Sequence, residues 1–270
     1  MSAADDLRKK LALEKQLVPK LNAYHADILR NFTNLYARVG IIPPMMQFDA
    51  ALASILTVHY AAAQSAFTGS ISDDMPHGAE ITAAEKAEIA AALVAYFRRE
   101  AARRAEDING TTADNLRRSV ELAVATQEVD KPPLSRIEIA FFAAGIAHRV
   151  LSNRSSSIAV TETQLGAEAT KATEAEVLFG MNPSVAGGDN IREDSQPTKT
   201  WESVGDDHVR DAHLEADGQE VPISEPFIVA GESLMFPGDT NLGASAGNVI
   251  NCRCGISYNT AEIADQRQEV

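Results

Sequence analysis

Apolar residues recur every three or four positions through much of the first 180 residues, the spacing of amphipathic helices. Ala3 to Arg38 carries one such stripe, from Leu7 and Leu11 through Leu21, Tyr24 and Ile28 to Phe32 and Leu35, with no glycine. An unbroken helix over this stretch is about 54 Å long, and Pro19 is expected to kink or split it. Such a helix must lay its stripe on something, either as the first helix of a bundle or as an arm on a larger assembly. Gly40 and Pro43-Pro44 stop it, and Met45 to Ala66 reads as a second helix with Phe48, Leu52, Ile55, Leu56 and Tyr60 on one side. Thr68 to Gly78 is a polar loop. Its Asp73, Asp74 and His77 are metal-ligand types, but polar loops ordinarily contain them.

Thr82-Ala-Ala-Glu85 is a capping box that opens a third helix, expected to close near Ile108 at Asn109-Gly110. A separate helix is predicted over Thr112 to Glu128. Lys131-Pro132-Pro133 breaks the chain, and Ser135 with Glu138 forms a second capping box. The helix that follows, Arg136 to Leu151, is the most apolar segment of the chain, with Ile137, Ile139, Phe141, Phe142, Ile146 and Val150. It is predicted to be the centre of an N-terminal core. Ser152 to Ser157 is polar and reads as a joint before another helix, from about Ser156 to Phe179. Gly180 to Pro197 reads as a flexible connection.

Beyond Pro197 the pattern shortens. Lys199 to Val204 suits a strand, Val209 to Glu215 a turn of helix, Asp217-Gly218 a tight turn, and Pro222 to Ile228 an extended segment. Pro237-Gly238-Asp239 is another turn. Val249 to Tyr258 reads as a strand interrupted at Gly255, with Cys252 and Cys254 on one face and Arg253 on the other. Trp201, Phe227 and Phe236 are the apolar pins of this part. The fold class expected is α+β: an N-terminal helical domain over residues 1–153, followed by a small loop-rich α+β domain over residues 154–270. The tail after Tyr258 is polar and expected to fray.

Composition sharpens the division. Residues up to Arg154 are formally neutral, and the net charge of −14 falls entirely on the remainder. An acidic domain is repelled by the phosphate field of nucleic acid. Plain solubility is the other reading of that charge. No apolar run reaches membrane-spanning length and no apolar leader opens the chain, so no membrane partner and a cytosolic product are expected. Two Cys separated by one residue make no disulfide framework.

The one basic cluster is Arg98, Arg99, Arg103, Arg104, Arg117 and Arg118. It offers contacts to double-stranded DNA phosphate or to an acidic partner. Its other reading is pairing with Glu100, Glu106 and Asp107 on a solvated face. His213, Cys252 and Cys254, with His208 nearby, are the residue types of a zinc site. Their other reading is two small buried hydrophobes and a hydrogen-bonded imidazole, with no cofactor. A Cys-His nucleophile pair is a third, against which the acids Asp206, Asp207, Asp211 and Glu215 discourage a thiolate. Arg210 and Arg253 are expected to pair with Asp206, Asp207, Asp211 or Asp239 and so fix the loops. Lys199 reads as an ordinary strand surface residue.

In order along the chain stand Lys199, Trp201, Asp206, Val209, Arg210, His213, Gly218, Phe227, Pro237-Gly238, and Asn251-Cys252-Arg253-Cys254. This sequence of residues resembles the C-terminal domain of the phage head morphogenesis family, the minor head proteins similar to the F protein of phage Mu. Ile158 to Thr163 looks like the Thr-Glu helix that precedes that domain. His208 and Val160 stand where the family pattern carries Arg. The resemblance covers roughly Ser156 to Tyr258. It implies a non-enzymatic minor head protein, present in a few copies in the virion head interior after assembly in the host cytoplasm. The implied partners are the portal and capsid or scaffold proteins, and the implied role is head assembly or DNA delivery. The competing reading is an enzyme, a capsid maturation protease or transferase-like effector built on the Cys/His group. Little chain follows Cys254, so no further effector domain is expected there.

Overall fold

The computed structural model describes residues 3–71, 81–127, 131–179 and 197–259. Four long helices come first: α1 (Ala3–Val39), α2 (Asp49–Phe67), α3 (Ala83–Ala125) and α4 (Arg136–Leu178), with a short 3-10 turn at Met45–Phe48 leading into α2. The C-terminal part holds β1 (Thr198–Glu202), α5 (Asp211–Glu215), β2 (Glu220–Pro222), β3 (Phe227–Val229), β4 (Glu232–Leu234), α6 (Ala246–Val249) and β5 (Gly255–Tyr258). The fold is α+β, a long helical region followed by a small sheet region. The loop carrying Asp73, Asp74 and His77, the connection from Gly180 to Gln196, and the tail from Thr260 lie outside the described residues.

Three expected helix breaks do not occur. α1 runs through Pro19 without interruption. A proline there removes one backbone bond, while Leu17, Leu21, Tyr24, Ile28 and Phe32 are all buried and hold the helix. α3 is one helix across Asn109-Gly110. Asn109 is not a cap but a buried bridge: it accepts from the Tyr24 hydroxyl at 2.5 Å and donates to Asp49 at 2.7 Å. α4 likewise continues through the serine-rich stretch expected to be a joint. Ser155 returns its hydroxyl to the Leu151 carbonyl and meets His25 Nδ1 at 3.0 Å, and Arg154 reaches Thr112 Oγ1 at 3.0 Å. Polar side chains that read as loop are buried partners of other helices.

The residues fall into two compact units that are not the sequence halves divided at residue 153. One gathers Glu14–Val58 and Arg98–Ala159; the other gathers Met1–Leu13, His59–Phe97 and Val160–Val270. All four long helices contribute to both. In the first unit, the Arg136 to Leu151 segment is not the centre of a core. Ala140, Ala143, Ala147 and Leu151 form its buried side, whereas Phe141 is 67% and Ile137 55% exposed. Three alanines make up most of the inward side, where they permit close helix approach, with Ile139 and Leu151 beside them, while Ile137, Phe141, Phe142 and Val150 are left at the surface.

The second unit is built around α4 from Val160 onward. Residues Thr161 to Lys171 are buried without exception, although seven of the eleven are polar or charged. A helix buried all round with polar side chains must satisfy each of them. Glu162 accepts from the Tyr60 hydroxyl, Thr163 Oγ1 lies 2.9 Å from His59 Nε2, and Glu174 accepts from the Gly69 amide at 3.0 Å. Lys10 reaches Glu168 at 2.7 Å and Gln164 at 2.8 Å, and Lys171 reaches Glu168 at 2.9 Å and Asp6 at 3.1 Å. Burial disfavours the Glu168 carboxylate, but the two ammonium groups hold its pKa below the usual range. Gly166 lets α2 come close: a Cβ there would lie 2.9 Å from Ala63 Cβ. Apolar packing of Leu13, Ala63, Phe67 and Ala167 completes this side.

The sheet is three-stranded and antiparallel, in the order β2-β1-β5, with Trp201 opposite Ile256. β3 and β4 form a separate hairpin. Its two-residue turn, Ala230-Gly231, has positive φ at both positions, the mirror-image turn that matches strand twist.

Candidate functional site

Trp201 sits at the middle of the C-terminal part because β1 is the central strand and its side chain points to the covered face. Its ring meets His213 edge-on at 5.5 Å and Phe227 edge-on at 5.4 Å. α5 places His213, buried, beneath the indole. Gly218, at φ 75°, turns the chain back so that its amide donates to the Trp201 carbonyl at 2.9 Å.

The Cys-Arg-Cys segment is not a strand. It lies between α6 and β5, and pairing begins only at Gly255. Its alternation nevertheless holds: Cys252 and Cys254 are buried, and Arg253 is partly exposed. The segment is tied down by α4 instead of a neighbouring strand. Asn251, at φ 57°, gives its amide to Thr161 Oγ1 at 3.0 Å, and Gln164 Nε2 donates to the Cys254 carbonyl at 2.6 Å and the Pro237 carbonyl at 3.3 Å. Gly238, at φ 93°, lets the Pro-Gly-Asp turn sit against Gln164 and Leu165, where a Cβ would press on Gln164 Cγ at 3.3 Å.

This brings His213 Nδ1 to 3.4 Å from Cys254 Sγ and 3.6 Å from Cys252 Sγ. The three ligand atoms lie within 4.8 Å of one another, and all three residues are buried. A hydrogen bond from Cys254 is the main reason the Cys252 thiol is held below its ordinary pKa; burial opposes this and His213 assists. The same hydrogen bond, with burial, keeps the proton on Cys254 and pushes its pKa up. His213 Nε2 and Trp201 Nε1 are buried and make no hydrogen bond. The indole N–H nonetheless lies close enough to the Cys254 sulfur to favour its thiolate. His208 does not join this group. Its amide donates to Asp206 at 3.0 Å.

Of the two arginines, Arg253 pairs with an acid: its Nη2 reaches both oxygens of Asp206, at 2.9 and 2.7 Å. Arg210 does not. It donates to the Ile250 carbonyl, and so holds the backbone just before Asn251. Asp239 is no arginine partner either, because its oxygens cap the Met235 and Asn241 amides at 3.0 and 2.9 Å. Lys199 is not a surface residue. It is buried, donates to the Met235 carbonyl at 2.8 Å and stands 5.0 Å from the centre of the Phe227 ring. Burial pushes its pKa down to about 8, against the pull of Glu176, Asp239 and Glu225.

The basic cluster lies along α3. Arg103 pairs with Glu100 at 2.6 Å and Asp107 at 3.4 Å, and Arg117 pairs with Asp114. Arg98, Arg99, Arg117 and Arg118 are exposed, and Arg104 is partly buried. Sequence reasoning missed Gln164 and Lys10 as parts of the C-terminal module's support, and it gave Thr161 only a place in the Thr-Glu helix, not its bond to Asn251. The signal available was the density of polar residues inside a helical segment with no polar face.

Comparison with known protein families, with curated proteins and with solved structures finds no match to this chain. No described helix is long and apolar enough to cross a membrane.

Proposed function

We propose that this chain is a phage minor head protein that associates with the portal during head assembly, acting as a structural subunit and not as an enzyme. One observation supports this most. Residues of the head morphogenesis pattern, scattered from Thr161 to Cys254, lock onto one another in a single buried assembly. Thr161 holds Asn251, Trp201 packs on His213, and His213 meets both Cys254 and Cys252. A catalytic constellation opens to its substrate, whereas this one is closed around its own backbone. The exposed apolar side of α4, with Ile137, Phe141 and Phe142, adds a surface suited to burial against a protein partner. Capsid and scaffold proteins are further partners on this reading, and the exposed arginines of α3 are the candidate contact to packaged DNA.

The enzyme reading has the Cys252–His213 contact in its favour and the burial of both groups against it. Co-expression with the portal protein of the same phage tests the proposal. Co-purification of a stable complex through size exclusion is expected, weakened by Phe141→Glu. Absence of any complex, together with hydrolysis or transfer that is abolished by Cys252→Ala, would replace it with the enzyme reading.

A further inference from the structure

The two sulfurs approach one nitrogen atom. A neutral imidazole Nδ1 has a single in-plane direction, for one proton or one lone pair. It can point at one sulfur only, yet Cys254 Sγ and Cys252 Sγ stand 3.4 and 3.6 Å from it. Without a metal, that one imidazole direction and the hydrogen bond between the two sulfurs must serve all three buried groups, and one S···N contact is left without a proton. A cation centred among them satisfies all three at once. Zinc bonds of about 2.3 Å to sulfur and 2.0–2.1 Å to nitrogen, at tetrahedral angles, set an S···N edge of roughly 3.6 Å. The two observed S···N separations match two edges of such a tetrahedron, and all three atoms lie within 4.8 Å of one another.

We propose that His213 Nδ1, Cys252 Sγ and Cys254 Sγ bind one zinc ion. Among the described residues no fourth His, Cys, Asp or Glu joins them, which leaves the fourth position to water or a small exogenous ligand. Binding displaces the two thiol protons to solvent and leaves two thiolates, whose charge cancels that of the ion. The neutral result suits a site buried this deeply.

The ligands also come from places that need joining. His213 is on α5, while the two Cys lie 39 and 41 residues further on, in a segment with no strand partner. One ion would fasten α5 to that segment beneath the Trp201 ring. This inference stands on the geometry alone and is independent of the head-assembly reading.

The test uses the full chain, purified under reducing conditions without added metal, with elemental analysis by mass spectrometry. About one zinc per chain is expected. Unfolding in chelator followed by refolding with Co²⁺ should give the sulfur-to-cobalt charge-transfer band and the intense visible bands of a tetrahedral site. Cys254→Ser should lose the charge-transfer intensity or fail to refold. The wild-type cobalt spectrum keeps the question answerable in the second case. A metal-free protein that refolds identically with and without chelator and gives no cobalt spectrum would overturn the proposal. Stoichiometric copper or iron with no zinc would overturn the choice of ion.

Discussion

Gln164 Nε2 donates to the carbonyl oxygen of Cys254 at 2.6 Å, across 90 residues of chain. The same amide group donates to the Pro237 carbonyl, and its oxygen accepts from Lys10 at 2.8 Å. One buried side chain thus joins α1, α4 and two loops of the C-terminal part. Gln164→Leu keeps the size and removes these bonds, orphaning two carbonyls and part of the Lys10 ammonium. A loss of roughly 2–4 kcal/mol is expected, since each buried polar group left unpaired costs about 1–3 kcal/mol. Chemical denaturation of the two proteins measures it. A change within about 0.5 kcal/mol would show that the Cys segment is held by other means.

Glu168 lies between two ammonium groups, from Lys10 and Lys171, and its side chain is wholly buried. Removing one partner from a buried ion group is costly because the others remain charged. Glu168→Gln is expected to destabilise by about 3–5 kcal/mol. Replacing Lys10 and Glu168 together by Met should recover much of that loss, as the charges then disappear in pairs. Equal losses in the single and double variants would contradict a charge origin.

His25 gives the first unit an acid limit. Its pKa is lowered to about 4, chiefly by burial and secondarily by the Arg154 charge. Ser155 donates to the Leu151 carbonyl, so it accepts from His25 Nδ1, and the neutral ring fits without a proton on Nε2. The folded pKa lies below the unfolded value of about 6.5, so the unfolded chain binds more protons between these values. Stability contributed by the neutral ring is full above pH 6.5 and is lost as pH falls toward 4, by about 3 kcal/mol. Urea melts at intervals across this range, compared with His25→Gln, test it. The variant should show a shallower decline, and identical slopes would exclude His25 as the cause.

Two glycines should respond oppositely to the same change. Gly166 has Ala63 Cβ at 2.9 Å and Tyr60 Cδ1 at 3.3 Å from the position of an added Cβ, whereas Gly110 has nothing within 4 Å. Gly166→Ala is expected to destabilise by about 1–3 kcal/mol through overpacking. Gly110→Ala, in an exposed helical position, should stabilise by about 0.5–1 kcal/mol. Thermal melts of both variants decide it; a stabilised Gly166→Ala would mean that α2 and α4 are not in close contact there.

The sequence announced what depends on neighbours in the chain. Both capping boxes form: Thr82 and Glu85 exchange bonds of 2.7 and 3.2 Å, and Ser135 and Glu138 bonds of 2.8 and 3.3 Å. The turns at Gly218 and Gly238, the burial of Trp201 and Phe227, and the two-sided alternation of Cys252, Arg253 and Cys254 were also legible, as local chemistry. What could not be read locally was the destination of polar side chains. Asn109 and Ser155 carry the signature of a break, and they are buried because Tyr24 and His25 come to them from far along the chain. Lys199 reads as a surface residue until Phe227 and the Met235 carbonyl cover it. His213, Cys252 and Cys254 were legible as a chemical set. Their convergence on one atom was not, because it depends on the supports from α4.

The central claim is that the Cys/His group is a closed structural pin, and the protein's only two cysteines make it directly measurable. The folded protein is to be exposed to an excess of an aromatic disulfide reagent while the released thiolate is followed by absorbance. The account predicts that neither Cys252 nor Cys254 reacts beyond the rate of unfolding, and that both appear together across the denaturant transition. Rapid reaction of one thiol under native conditions, with the protein still folded, would contradict it.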